Sequence, residues 1–243
     1  MIRTRNGADN DLGENDTIRY SNKMEATEPH ASEQRPSNQK RAQNAVERRR
    51  SILEGAASVF MDQGFGGASM DAIASASGVS KMTLYRYYDS KEALFEGLIE
   101  SRCDQILAAD STEPIFSLPP ESALPAIARR FLATVHSPET VGLLRVVIGE
   151  AKRFPALGRL FYDAGPRKNI DALKIYFEKF RDHPSLRVDD PQNAAEAFFS
   201  IARGYTQLRL LLGARSTPTA DEIEVEVRRT VAPFLRSTRG EAR

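Results

Sequence analysis

The chain has 243 residues, of which 41% are hydrophobic and 28% are charged, a balance typical of a soluble globular protein with one large or two modest domains. Its formal net charge of +1 argues against a polybasic nucleic-acid binder of the histone type. There is no run of about 18 apolar residues and no apolar segment near the start, so we expect a cytoplasmic protein without a transmembrane helix, a signal peptide or a membrane partner.

Residues 1–39 are polar and contain few large apolar side chains, which predicts a disordered tail. The segment 35–50 is basic, and its only acidic residue is Glu47. Its basic residues are Arg35, Lys40, Arg41, Arg48, Arg49 and Arg50. A basic run is usually a solvated surface, and it gains meaning here from the motif that follows. A flexible arm of this charge can reach phosphates or a minor groove.

Helical periodicity begins near Arg41. Leu53, Ala56, Ala57 and Phe60 recur with the spacing of one apolar helix face. We expect this first helix to stop at Gly64, since glycine is the usual residue just past a helix end.

Two short helices and a glycine-containing turn come next. Ser69 is a good N-cap for the second helix, and Ser80 for a third from Lys81 to Tyr88. Between them lies the turn Ser77-Gly78-Val79-Ser80, so the span from Ser69 to Tyr88 has the form of a DNA-binding helix-turn-helix. In that motif the first helix braces the second, which lies in the major groove.

A fourth helix is predicted from Ser90 to about Ala109, with Cys103 on its inner side. One cysteine excludes an internal disulfide, and no basic cluster surrounds it to suggest a reactive thiol. We interpret it as a buried helix residue. Because this helix leaves the helix-turn-helix and enters the next region, it can act as a lever between the two.

The remainder has no repeat and no alternation of strands with helices, and the short segment Leu186-Arg187-Val188 has no obvious strand partner. Five helical stretches are predicted: 121–136, 139–154, 156–181 with an interruption near Gly165-Pro166, 191–212 and 220–236. We therefore expect an all-α protein with a three-helix DNA-binding domain (40–109) and a larger C-terminal bundle (110–243).

Two neighbouring segments closely resemble the N-terminal domain of TetR-family regulators. They are RRRSILEGAASVFMDQGFG (48–66) and ASMDAIASASGVSKMTLYRYYDSKEALFEGLIE (68–100). GLLRVVIGEAKRFPALGRLFYDAGP (142–166) and LRVDDPQNAAEAFF (186–199) resemble AefR-like TetR C-terminal domains. The resemblance implies a homodimer on a double-stranded DNA operator, with a C-terminal domain for an unidentified small-molecule effector.

On the third helix, Leu84 and Tyr88 are predicted to face the core, which directs other side chains outward. The candidate DNA contacts are Ser69, Lys81, Met82, Thr83, Tyr85, Arg86, Tyr87 and Lys91. Lys81 and Thr83 lie where base edges are read, and the two tyrosines suit phosphates. For Ser69 and Lys91, phosphate contact is what the resemblance implies; the alternative for each residue is a solvated surface position.

The helix 191–212 shows two apolar stripes. The first is Ala194, Phe198, Ile201, Tyr205, Leu208 and Leu212, and the second begins Ala195, Phe199 and Ala202. A helix with two apolar faces needs two packing partners. We expect the second stripe, which contains Phe199, to contact a second subunit. The last helix offers a matching seam: Ile223, Val227, Val231 and Phe234. Burial inside one chain is the alternative.

Polar and aromatic side chains within the C-terminal apolar runs can line a pocket: Arg145, Glu150, Phe154, Phe161, Tyr162, Tyr176 and Arg203. Ordinary ion pairs and core positions are the alternative for each. The histidines are far apart, and no catalytic or phosphate-binding motif is found, so neither catalysis nor a cofactor or metal is expected.

These features predict a sequence-specific DNA-binding regulator, a repressor released by a small hydrophobic ligand. One alternative is an activator or global regulator of the same fold without an inducer. A second is a helical ligand-binding or enzymatic protein with a vestigial helix-turn-helix.

Overall fold

The computed structural model describes residues 35–107 and 115–238, and within these ranges the regular elements are helical and no strand is present. This confirms the all-α prediction. The α-helices are α1 (Arg35–Gly67), α2 (Met70–Ala76), α3 (Lys81–Tyr87), α4 (Lys91–Leu107), α5 (Pro120–Val135), α6 (Pro138–Glu150), α7 (Pro155–Tyr162), α8 (Lys168–Lys179), α9 (Pro191–Leu211) and α10 (Ala220–Thr238).

The predicted tail lies mostly outside the described residues, as do residues 110–114 at the start of the predicted C-terminal domain. Helix α1 begins at Arg35, ahead of the start expected near Arg41. Two compact units divide between Ala42 and Gln43, and all packing described below lies within the second. The predicted division near residue 109 stays a prediction.

Two apolar clusters form the core of the unit from Gln43 onward. One joins α1 to α4 and includes Leu143, Val147 and Leu157 from α6 and α7. The other is built from α5, α8, α9 and α10 around Phe131, Phe198 and related rings, with Ile106 of α4. Because α6 and α7 pack into the first cluster, the helix-turn-helix shares its core with the C-terminal helices.

Irregular segments join several of these helices. A 3-10 turn (Ile115–Ser117) precedes α5, and a π-helical segment (Asp163–Arg167) links α7 to α8 at the predicted Gly165-Pro166 interruption. The possible strand at Leu186-Arg187-Val188 is wrong. Leu186 and Val188 are buried, and the Arg187 amide donates to the Thr238 carbonyl at 2.6 Å, so a helix end takes the place of a neighbouring strand.

The prediction that the Phe199 stripe faces a second subunit is also wrong. Phe199 is 2% exposed, with its ring centroid 4.6 Å from that of Phe131. Gly204 interrupts α9 with φ 49° and ψ −160°, a conformation open almost only to glycine. The Phe199 stripe, with Ala195 and Ala202, lies entirely before this break and is buried within the same chain.

The exposed apolar face of α9 comes from the other stripe and has residues on both sides of Gly204. Ile201 and Leu208 are about half exposed, and Tyr205 and Leu212 are largely exposed. We call these four residues the α9 face. The proposed seam on α10 is mostly internal, since Val227, Val231 and Phe234 are buried in the chain; their spacing reflects core packing.

Across residues 35–107 and 115–238 no single helix is long and apolar enough to cross a membrane, although α5 and α6, bent by 64°, reach that length and composition together. In the same ranges, no three His, Cys, Asp or Glu side chains gather as a metal site requires.

Candidate functional site

Serine caps set the start of each short helix near the N-terminus. Ser69 Oγ accepts from the Ala72 amide at 3.1 Å, and Ser80 Oγ accepts from the Thr83 amide at 3.1 Å. Each cap satisfies a backbone N–H that would otherwise lack an intrahelical partner. The predicted starts of α2 and α3 are therefore correct.

The turn between α2 and α3 is fixed against α1. Gly78 has φ 65°, which lets the chain reverse. Ser51 Oγ donates to the Ser77 carbonyl at 2.8 Å, and a Cβ on Gly55 would lie 2.8 Å from the Ser77 backbone nitrogen. This close approach holds the turn rigidly on the first helix.

Helix α3 divides into a buried and an open face. Leu84 and Tyr88 are buried, as predicted, and the Tyr88 hydroxyl accepts from Arg49 Nε at 3.2 Å. Four of the candidate DNA contacts on α3 are exposed: Lys81, Met82, Tyr85 and Arg86. Thr83 and Tyr87 are partly buried, and Ser69, the N-cap of α2, is exposed. A seven-residue helix with one open face suits insertion into a major groove.

Lys81, a candidate for base reading, already has an acidic partner. Its Nζ lies 2.8 Å from Asp71 Oδ1 on α2, and both side chains are well exposed. The hydrogen bond to Asp71 raises the pKa of Lys81. The ammonium can turn to a base or phosphate only by leaving or sharing this carboxylate.

Lys91, the candidate phosphate anchor, is also engaged. Its Nζ donates to the carbonyls of Phe65 at 2.9 Å and Ala68 at 3.3 Å, and lies 4.8 Å from the Phe65 ring centroid. These contacts tie the start of α4 to the end of α1. Lys91 is therefore a structural tether as well as a candidate phosphate contact.

A second feature is a cavity of about 240 Å³ among the C-terminal helices. Its walls come from α4, α5, α6, α7, α8, α9 and the π-helical segment. The lining residues are Ile99, Arg102, Cys103, Ile106, Phe131, Thr134, Val135, Thr140, Leu143, Leu144, Phe161, Gly165, Pro166, Asn169, Arg203, Gln207 and Leu211. A mainly apolar wall with a few polar groups is typical of a small-molecule site.

Only two of the seven residues predicted to bind a ligand, Phe161 and Arg203, line this cavity. Arg145 instead donates to the carbonyls of Leu210 and Leu211 at the end of α9. Such a cation satisfies carbonyls that a helix end leaves free.

The other four are also placed elsewhere. Glu150 and Phe154 contact the end of α1, and Tyr162 is exposed. Tyr176 is buried in the second cluster, where its hydroxyl donates to the Leu118 carbonyl at 2.9 Å. Asn169 and Gln207, which the sequence reasoning missed, line the cavity instead.

Cys103 is buried, as predicted, and its side chain lines the cavity. Burial raises the pKa of its thiol to about 11. Because the thiolate is the reactive form, we expect alkylation by iodoacetamide near neutral pH to be about 100-fold slower than for a free cysteine, and to accelerate as pH rises toward 11. Mass spectrometry of time points checks this, and modification at the rate of a small free thiol would contradict it.

The end of α6 contacts the end of α1. Glu150 Oε1 accepts from the Gly66 amide at 3.0 Å, and the Phe154 ring packs edge-on against Phe65 with centroids 5.6 Å apart. We call the Glu150–Gly66 bond the α6 latch. Since Lys91 binds the Phe65 carbonyl, the latch, the end of α1 and the start of α4 meet at one place.

Comparison with known proteins gives matches over both halves of the chain. A family model described as "Bacterial regulatory proteins, tetR family" matches residues 52–98, and one described as "AefR-like transcriptional repressor, C-terminal domain" matches residues 122–237.

Three relatives illustrate the range. The HTH-type transcriptional regulator BetI of Rhizobium meliloti is 31% identical over 189 residues, 73% of this chain and 84% of its own. The HTH-type transcriptional activator FasR of Mycolicibacterium smegmatis is 37% identical over 79 residues, and the match spans 31% of this chain and 36% of FasR. The solved structure of the flavonoid-responsive regulator FrrA superposes with a TM-score of 0.61 and 37% identity, covering 81% of this chain and 99% of that one.

Proposed function

This chain belongs to the TetR family, whose members bind DNA operators and act as dimers, and we propose that it is a repressor that leaves its operator when a small amphipathic molecule enters the cavity. The chain is a DNA-binding transcriptional regulator. The release by a ligand, the identity of that ligand and the sign of regulation are the proposed part.

One observation supports release more than any other: α6 serves both sites. Thr140, Leu143 and Leu144 of this helix line the cavity, and Glu150 at its end forms the α6 latch. A ligand that displaces α6 therefore strains or breaks the latch. The end of α1 and the start of α4 then shift, which changes the spacing of the two α3 helices in a dimer. In this proposal α6 transmits the ligand-induced movement together with α4, the helix that the sequence analysis expected to act as a lever.

The relatives favour a repressor with an aromatic effector. The model matching most of the C-terminal half describes a repressor, and the name of FrrA describes a response to flavonoids. FasR is named an activator, but its match covers only 31% of this chain. An activator without an inducer remains the second candidate, while the matched relatives are regulators rather than enzymes.

The proposal is tested by first selecting bound DNA from a random pool with the full chain. Titrating the flavonoid naringenin and 2-naphthoic acid against the resulting complex should lower operator affinity at least tenfold for a compound that binds. A near-palindromic site is expected, with half-sites about 34–36 Å apart or more widely spaced. Compounds that bind the free protein yet leave operator affinity unchanged would reject release and favour the regulator without an inducer.

The latch itself gives a sharper prediction. Glu150→Ala removes the acceptor for the Gly66 amide, so ligand and DNA sites should become uncoupled. The free protein should bind the ligand at least as tightly as the parent, because binding no longer strains the latch. A coupling of about 100-fold corresponds to about 2.7 kcal/mol, and we expect most of it to be lost. Glu139→Ala, in the exposed first turn of the same helix, is the matched control. Full coupling in Glu150→Ala would place the transmission elsewhere.

A further inference from the structure

The cavity wall is electropositive. Of the described residues that line it, two are arginines, Arg102 and Arg203, and none is aspartate or glutamate. The rest are apolar or neutral. Because opposite charge is stabilised strongly where water is scarce, this wall favours an anion over a cation or a neutral molecule.

Arg203 carries the stronger part of this argument. Its guanidinium lies 5.7 Å from the Phe131 ring centroid, and within the described residues no carboxylate pairs with it. Burial lowers the pKa of Arg203, which means that its charge is poorly solvated. An arginine in such a place is ready to accept an anionic group as its partner.

Two neutral amides line the same cavity and have hydrogen-bonding atoms without a partner in the protein. Gln207, which lies past the break at Gly204 and lines the same cavity as Arg203, is 7% exposed, and neither its Nε2 nor its Oε1 has a partner. Asn169 is 4% exposed, and its Oδ1 has none. Buried polar atoms without partners in the protein are rare, and at a cavity wall they are free to hydrogen-bond to a molecule that enters the cavity.

We infer that the effector is a small amphipathic organic anion, whose anionic oxygen, a carboxylate or an ionised phenol, binds Arg203 and the Gln207 amide. Its apolar body packs against Leu143, Phe161 and neighbouring side chains. The cavity of about 240 Å³ limits that body to about two or three rings or a chain of similar volume. This inference rests on the proposal that the cavity is the effector site.

The experiment compares 2-naphthoate with its neutral isostere 2-naphthamide by calorimetry on the full chain. We expect 2-naphthoate to bind at least tenfold more tightly. Arg203→Gln should remove that preference, whereas Arg209→Gln, at an exposed position of the same helix, should keep it. Equal binding of acid and amide by the natural chain, or an unchanged preference in Arg203→Gln, would overturn the inference.

Further arms separate the possible sources of the anionic oxygen and of failure. Decanoate and 4-nitrophenolate distinguish a carboxylate site from a phenolate site. Gln207→Leu should lower the affinity for 2-naphthoate several-fold, and it replaces Arg203→Gln as the test if that variant does not fold. An unchanged affinity in Gln207→Leu would count against the inference. If 2-naphthoate binds through Arg203 without altering operator affinity, the anion site stands and release fails. If naringenin releases DNA but acid and amide bind equally, release stands and the anion site fails.

Discussion

Replacing Leu208 with glutamate is expected to convert the dimer into folded monomers and to lower operator affinity by about 100-fold or more. Leu208 lies on the exposed α9 face with Ile201, Tyr205 and Leu212. The spacing of these residues gives one apolar strip, and an exposed strip of this kind marks an association surface. In a two-fold dimer each substitution occurs twice, so two unpaired charges would be buried.

Sedimentation and operator titration measure this, with Arg209→Glu as a control next to Leu208 but off the α9 face. Helicity and melting temperature of the Leu208→Glu monomer should stay close to those of the parent, since Leu208 is half exposed within its own chain. Phe199→Glu should instead unfold the protein, because Phe199 is in the core. A stable dimer in Leu208→Glu would place the interface on another surface.

The contrast between Phe199 and Leu208 shows where sequence periodicity fails. Both stripes on α9 were visible as patterns, but periodicity alone does not say which stripe meets the core of the same chain and which meets a second subunit. That choice depends on how α5, α8 and α10 pack against α9, and no local pattern within α9 contains this information.

The helix-turn-helix was predictable because its signals are local. Ser69 and Ser80 cap helices within three residues of themselves, and Gly78 fits a turn that needs positive φ. The outward face of α3 followed from burying Leu84 and Tyr88. The Arg49–Tyr88 bond and the close Gly55–Ser77 packing depend on long-range contacts, and the sequence pattern did not indicate either.

The cavity was less predictable. Charged residues within apolar runs are candidates for ligand anchors, yet Arg145 and Glu150 satisfy backbone groups of other helices. Among the described residues no carboxylate pairs with Arg203, and this depends on which side chains the fold places around it. Gln207 carried a weak signal, being four residues after Arg203 in an apolar stretch, and Asn169 carried none.

On the DNA-binding side, Lys81→Ala should relax the preference for the base it contacts and cost about 1–3 kcal/mol per half-site. Lys81 lies at the start of α3, where side chains reach base edges, and a lysine there donates to guanine acceptors. Loss of one donor affects sites with the matching base and spares others. Sequencing of DNA selected by parent and variant measures the change in preference.

Lys91→Ala is the matched comparison, with a different expected signature. If Lys91 contacts phosphate, its loss weakens all sequences alike and reduces the salt slope by about one for each contact removed. Since its ammonium also binds the Phe65 and Ala68 carbonyls, the variant should melt at a lower temperature, whereas Lys81→Ala, losing only an exposed pair with Asp71, should not. Asp71→Asn frees Lys81 and should raise affinity slightly. Identical changes in base preference, salt slope and melting temperature for both lysine variants would contradict these separate roles, in which Lys81 on α3 recognises a base and Lys91 on α4 contacts a phosphate.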